Sequence, residues 1–321
     1  MVKLGAVMSL RFDDLSRNPE AFAVFTGLPL DLFRSMLPGL LATFEAQRLD
    51  RLDRPDRRRA IGGGDDFDLT PTDQLVLTLV HLKRAHTYRE LAYHYGVSIA
   101  TVCRVIARCL PVLDADASEQ VQMPADDTPP PESPKRPRKK RRAPCLKHLP
   151  KRNAVVDSFE QPIRRPKYQQ KRYYSGKKKR HTLKVQLTVD EATGKVIDVS
   201  GSVPGPRSDI KLIEESEVLK RLPPGVGMMG DSGYQGMPGL SAGRVCVSPR
   251  KKPHGRERPA EDKVFNRALS RRRVVVEHTI GRMRRFTLLS GVFRHHKKRY
   301  DIRVRVVAGL VNRLIDYSMA A

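Results

Sequence analysis

Tryptophan is absent from the chain, and aromatic residues of all kinds make up only 6% of it. Cysteine is scarce too. The four present (Cys103, Cys109, Cys145, Cys246) match no zinc spacing and are too few for a disulfide framework in 321 residues. No apolar run approaches the roughly 18–20 residues of a membrane span. The opening MVKLGAVMSLRFDD has too short an apolar stretch for a secretory signal. These absences point to a soluble, intracellular protein without a structural metal cluster. Acid is also in deficit: 35 Asp+Glu face 61 Lys+Arg, a formal net charge of +26. At 39% apolar residues the composition still suits one to three folded domains with a sizeable core.

The positive excess belongs to one part of the chain. Residues 1–123 hold 15 Lys+Arg and 16 Asp+Glu, a net of −1, whereas residues 124–321 hold 46 and 19, a net of +27. Such a field attracts a polyanion, and nucleic acid is the commonest one in a cell. The basic residues interleave with folded-looking sequence, unlike those of a solubilising tail.

Helical periodicity dominates residues 1–113. Phe22, Val24 and Phe25, then Leu32, Phe33, Met36, Leu37, Leu40 and Leu41, mark two amphipathic helices within 19–48. Gly62-Gly63-Gly64 lacks the Lys-Ser/Thr of a phosphate cradle and reads as a connector. Over 70–113 the helix signals are sharper. Thr70-Pro71 caps one helix, Thr87-Tyr88-Arg89-Glu90 is a capping box for a second that stops at Gly96, and Ser98 caps a third that Pro111 is expected to end. A short helix, a tight turn and another helix form a helix-turn-helix pattern, whose second helix enters the major groove. Its outward candidates are Ala100, Thr101, Arg104 and Arg108; an ordinary three-helix bundle is the alternative.

Residues 114–152 are rich in proline, with ten Lys+Arg and no acid between Lys135 and Arg152, and read as a basic linker. Its cluster suits a phosphate grip or a nuclear-localisation signal. Beyond it the period changes to two. Asn153–Asp157 is a short apolar strand ending in a carboxylate, and Thr182–Val189 alternates like a half-buried strand that turns at 191–194 into Lys195–Val199. Val226–Gly230 and Arg244–Val247 add strands; 210–222, 261–289 and 303–318 read as helices. The fold class is α/β.

Three acids stand out. Asp157 and Asp231 each follow an apolar strand, and Glu277 interrupts the apolar run Val274-Val275-Val276, where an unpartnered charge is costly to bury. Converging carboxylates need cations between them, and hard oxygen ligands suit Mg²⁺ or Mn²⁺. Asp209 reads as a helix cap or a residue supporting a metal ligand; Asp198 could face either way; His181, His278 and Tyr234 adjoin the acids without an assigned role. Arg164–Lys184 carries ten Lys+Arg and no acid, interleaved with Tyr168, Tyr173 and Tyr174. Its run Lys177, Lys178, Lys179 and Arg180 suits a phosphate grip with base stacking nearby, a solvated loop being the alternative.

The segments NAVVDSFEQPI, YYSGKKKRHTLK, GDSGYQG and LSRRRVVVEHTIGRMRRF, with FAVFTGLPLDLF and the helix-turn-helix ahead of them, resemble the DDE transposases of bacterial insertion sequences, the group related to Harbinger elements. The likeness spans most of 22–316. It implies an RNase H-like catalytic domain at 153–321, a mixed sheet flanked by helices, preceded by an all-α region at 1–113 with its helix-turn-helix at 70–113, and joined to it by the linker at 114–152. It implies catalytic, metal-binding roles for Asp157, Asp231 and Glu277 with two divalent ions, Mg²⁺ or Mn²⁺. It further implies DNA cleavage and strand transfer on terminal inverted repeats and target DNA, by a homo-oligomer, in a bacterial cytoplasm at the nucleoid. Where the family has Asp-Gly-Thr and His-Asp, this chain has Asp157-Ser158-Phe159 and Ser208-Asp209. A DDE-type nuclease without transposition and an inert DNA-binding protein are the other readings.

Overall fold

The computed structural model describes residues 9–53, 67–130, 144–241 and 243–320. They form two compact units, one of residues up to 119 with 285–290, the other of residues 120–284 with 291 onward. The triple glycine at 62–64 and the cluster 138–142 lie outside the described residues. No single helix among those described is long and apolar enough to cross a membrane.

The first unit is all helical: α1 (Phe12–Leu15), α2 (Pro19–Thr26), α3 (Leu30–Leu52), α4 (Pro71–Arg84), α5 (Tyr88–Tyr95) and α6 (Ile99–Gln120), whose last residue opens the second unit. α4 is its core, with every residue from Asp73 to Leu82 buried. The caps are those read from sequence. Thr70 Oγ1 accepts from Asp73 N at 3.1 Å, and Thr87 and Glu90 exchange the two bonds of a capping box. Gly96 then closes α5 at φ 65°, a left-handed turn that only glycine adopts without strain. Ser98 Oγ accepts from Thr101 N to start α6, and the chain bends through 100° between α5 and α6, as a helix-turn-helix requires.

One expectation fails here. Pro111 does not end α6, which continues to Gln120. A proline removes one backbone donor and can be carried where burial on both sides holds the helix, here through Cys109 and Leu110 before it and Val112, Leu113 and Ala117 after it. The segment read as linker therefore begins helical, and near its end Leu146 and Leu149 are buried, so it packs in part.

The second unit is a mixed seven-stranded sheet. Its elements are β1 (Asn153–Pro162), α7 (Gln170–Tyr173), β2 (Tyr174–Ser175), β3 (Arg180–Asp190), β4 (Val196–Val199), β5 (Val203–Pro204), α8 (Asp209–Ser216), α9 (Val218–Arg221), β6 (Gly227–Met229), α10 (Met237–Leu240), β7 (Cys246–Val247), α11 (Ala260–Arg284) and α12 (Tyr300–Ala320). Strand order is β2-β3-β1-β6-β7, with β4 and β5 also pairing β3. β1 runs antiparallel to β3 but parallel to β6, and β6 parallel to β7. Ala154, Val156, Ile213, Val218, Met228, Tyr234 and Met237 share one buried cluster, while α11 packs on β1 and α12 on β4. Cover on both faces explains a second departure: β3 is buried throughout Thr182–Asp190, not half-buried as its alternation suggested. The helix expected over 210–222 is likewise split at Glu217, which sits at φ 53° between α8 and α9.

The capping box yields a stability prediction. Thr87→Ala should lower the denaturant midpoint by about 1 kcal/mol equivalent, the usual cost of a lost N-cap, whereas Thr87→Ser should stay close to the parent. Equal losses in both variants would mean that the Thr87 methyl, not its hydroxyl, stabilises α5.

Candidate active site

The site is set by where the parallel pairing of β1 stops. Asn153, Ala154 and Val155 pair with Gly227, Met228 and Met229, and β6 ends there. Continuing that register by two residues sets Asp157 against Asp231. β1 itself does not end at Asp157, as its apolar run had suggested; it continues to Pro162 because β3 pairs with it over nine residues, Asp157 facing Leu187. The acid is thus held by a strand on one side and opens onto a finished strand on the other.

Each carboxylate is fixed by a backbone donor. Asp157 Oδ1 accepts from Ser158 N and Asp231 Oδ1 from Gly233 N, both at 2.8 Å. Among the described residues neither has a hydrogen bond to its second oxygen or an ion pair. Burial, with the repulsion of Asp231 and Asp209 adding to it, pushes the Asp157 carboxyl up from 3.8 to about 6, against the pull of Arg273. Gly233 passes between acids: a Cβ there would stand 2.5 Å from Asp209 Oδ2 and 3.0 Å from Asp231 Oδ1, so a side chain would displace a carboxylate. Tyr234 is fully buried in the core beside these acids, and burial followed by their charges raises its phenol well above the ordinary value.

Asp209 was read as a cap, but Ser208 occupies that position and Asp209 is the first residue of α8. Its Oδ1 accepts from Ser158 Oγ at 2.7 Å and from Lys184 Nζ at 3.1 Å, while Lys184 Nζ also donates to Arg207 O at 2.6 Å. A lysine buried under an acid site escaped the sequence reading because it sits in the apolar alternation of β3. Its one signal was being the only charge between Thr182 and Val189. Asp198 faces inward and pairs with Arg221 at 2.6 Å; Asp190 pairs with Arg152 and Glu191 with Arg272.

Glu277 lies exposed on α11, one turn beyond the buried Arg273 whose charge acts on Asp157. Among the described residues no three His, Cys, Asp or Glu side chains gather closely enough to hold a metal ion. Glu277 is exposed, unlike the half-buried Asp157 and Asp231. The donor chemistry of the pair itself fits a hard divalent cation, since two half-dry carboxylates with unused oxygens repel one another.

Lys177, Lys178, Lys179 and Arg180 are all exposed, the lysines in the turn after β2 and Arg180 as the first residue of β3. In the first unit Ala100 and Arg104 are exposed at the start of α6, and Thr101 is half-buried, its hydroxyl 2.9 Å from that of Ser98. Arg108 is not outward. Its Nη1 donates to Gln74 Oε1 at 2.8 Å and its guanidinium stacks 4.3 Å from the centre of the Phe67 ring, a commitment that the one-face arithmetic of α6 could not foresee.

Two family models match the chain. Residues 156–312 match one described as DDE superfamily endonuclease, and residues 67–119 match the helix-turn-helix of DDE superfamily endonuclease. The chain is 31% identical over 246 residues to a protein of Microchaete diplosiphon described as "Probable transposase for insertion sequence element IS702", covering 75% of this chain and 79% of that one. No solved structure matches.

The raised Asp157 carboxyl makes stability depend on pH. Between its ordinary value of 3.8 and about 6 the folded chain holds a proton that the unfolded chain releases, so stability falls as the pH rises through that window and levels off above it. Asp157→Asn should then be more stable than the parent at about pH 7.5, by on the order of 1–3 kcal/mol, with the difference vanishing toward pH 4. Denaturant melts in a chelating buffer test this; a gap of the same size at both pH values would show that the acid is not raised.

Proposed function

Because the chain belongs to the DDE transposases of bacterial insertion sequences, with a helix-turn-helix ahead of the endonuclease domain, we propose that it cuts DNA at the ends of its own element and joins the freed ends to a target. The observation that carries this reading is the pair Asp157 and Asp231. In a chain with 61 Lys+Arg, Asp190, Glu191, Asp198 and Asp209 form ion pairs, whereas among the described residues Asp157 and Asp231 form none, Asp157 feeling Arg273 only from beyond contact.

Asp157 and Asp231, with Glu277 as the third member by its place in the family motif, are the residues that would hold two Mg²⁺ or Mn²⁺ ions. When bound, such ions activate a water or a DNA 3′-OH and stabilise the leaving oxygen of an in-line phosphoryl displacement. The chain's own contribution is position and charge. Ser158 N and Gly233 N aim the two carboxylates, and Lys184 holds Asp209 against Ser158, the residue next to the first acid. Lys177, Lys178, Lys179 and Arg180 grip backbone phosphates whatever the sequence. Thr101 and Arg104 at the start of α6 read the terminal inverted repeats, and Arg108 braces α6 from behind. In this division of labour, residues 1–113 recognise, 114–152 connect and 153–321 cut. One observation favours a second reading, a DNA-binding protein with an inert centre: among the described residues no three His, Cys, Asp or Glu side chains gather as a metal site.

Cleavage of a supercoiled plasmid carrying the element and its flanks separates the two. Asp157→Ala, Asp231→Ala and Glu277→Ala should each abolish Mg²⁺-dependent cutting while duplex affinity stays near that of the parent. An unaffected rate in any one removes that residue from the set, and a parent chain that binds but never cuts favours the inert centre.

Salt dependence tests the grip. Affinity for a mixed-sequence duplex should fall with salt by a log–log slope of about −0.9 per phosphate neutralised, and replacing Lys177, Lys178, Lys179 and Arg180 with alanine should flatten it. Arg104→Ala should instead lower the discrimination between element ends and random DNA, by about 1–3 kcal/mol. A loss equal on both DNAs would make Arg104 a phosphate contact.

A further inference from the structure

The second unit carries a groove that the acid pair does not use. It is an open cavity of about 500 Å³ lined by Arg165, Gln170, Lys171, Tyr174 and His181. Tyr174 and His181 are cross-strand neighbours on β2 and β3, with ring centroids 5.6 Å apart and planes at 73°, so the rings form an upright corner. Tyr174 is 46% exposed. The other two tyrosines of the segment lie under cations: Lys297 Nζ is 3.8 Å from the centre of the Tyr173 ring and Lys167 Nζ 5.4 Å from that of Tyr168. Arg165 Nε donates to Gln170 Oε1 at 2.8 Å, which leaves the amide hydrogens of Gln170 for another acceptor.

These walls specify a ligand. Arg165 and Lys171 call for an anion, and no acid occurs anywhere from Arg164 to Lys184. The ring corner calls for a flat π system, and the amide of Gln170 for a polar edge on it. A nucleotide has all three, and pockets for ligands of that size are about 300–1,000 Å³. Within a duplex both faces of a base are covered by its neighbours, so only an unpaired base can lie on a tyrosine ring.

We propose that this groove takes one unpaired DNA base, stacked on Tyr174 and bounded by His181, with its flanking phosphates on Arg165 and Lys171. This rests on the DNA-binding function proposed above and adds a subsite to it. His181 stands six residues along β3 from Leu187, the partner of Asp157. At about 3.3 Å per residue that is about 20 Å, or about six base steps of duplex. The base is held at a distance from the phosphate that is cut, which fixes the register of the strand on the acids.

Equilibrium binding of the full chain to a mixed-sequence duplex, either fully paired or carrying one bulged base, tests the subsite. The parent should bind the bulged duplex at least about fivefold more tightly, the low end of what one base–aromatic stack contributes. Tyr174→Ala should bring the ratio toward one, and Tyr174→Phe, which keeps the ring, should preserve it. Lys178→Ala, outside the groove, should weaken both duplexes and leave the ratio intact. Equal affinity of the parent for the two duplexes, or a preference that survives Tyr174→Ala, overturns the subsite and leaves DNA binding standing. Binding to neither duplex at low salt overturns the subsite together with the function it rests on.

Discussion

Two carboxylates are forced together where a parallel pairing stops, and much of the second unit is arranged around that constraint. The register of β1 on β6 leaves Asp157 no freedom to avoid Asp231, since both sit two residues beyond the last paired positions. Burial, with the charge of Asp231 adding to it, raises the Asp157 carboxyl, and that upward shift is the mark of the cost. The surroundings then follow. The bare backbone of Gly233 passes between Asp231 and Asp209 without displacing either carboxylate, and Tyr234 is buried beneath, closing the core under the acids. Lys184 neutralises Asp209 rather than either member of the pair, so a positive charge is near without filling the place between them.

The legible part of this protein was the local part. The caps at Thr70 and Ser98, the capping box, the left-handed glycine at Gly96 and the extended conformation of β3 are decided by neighbours in sequence, and the structure has each of them. What sequence could not supply came from cover and pairing. Whether Pro111 stops a helix depends on how firmly the residues beyond it are buried. Whether β1 ends at Asp157 depends on β3, a partner some thirty residues away, and β3 is buried on both faces only because helices cover both sides of the sheet.

The acids show the same division. Asp157 and Asp231 were visible because each follows a buried apolar strand, and Glu277 because it follows an apolar helical run, the family resemblance giving all three a shared role. Asp209 and Lys184 were not visible as partners, since a carboxylate at a helix start and a lysine within a strand are ordinary in isolation. Arg108 erred in the other direction. Every third or fourth residue of α6 counts as outward in a lone helix, and Phe67 and Gln74 reclaim that one.

The distribution of charge completes the argument. The helical unit is nearly neutral and the sheet unit strongly basic, yet a phosphate grip is most useful where chemistry is done and least useful where sequences must be told apart. Long-range attraction to any duplex raises affinity for right and wrong sites equally. A recognition module therefore gains discrimination by keeping its own field weak and presenting few side chains to the bases. A cutting module has the opposite need. On the function proposed above, its acids would repel the phosphate they approach, and the exposed basic turn into β3 would offset that repulsion from the same strand that pairs with Asp157. On that reading the +27 of residues 124–321 would answer the negative charge of the acid pair as well as that of DNA.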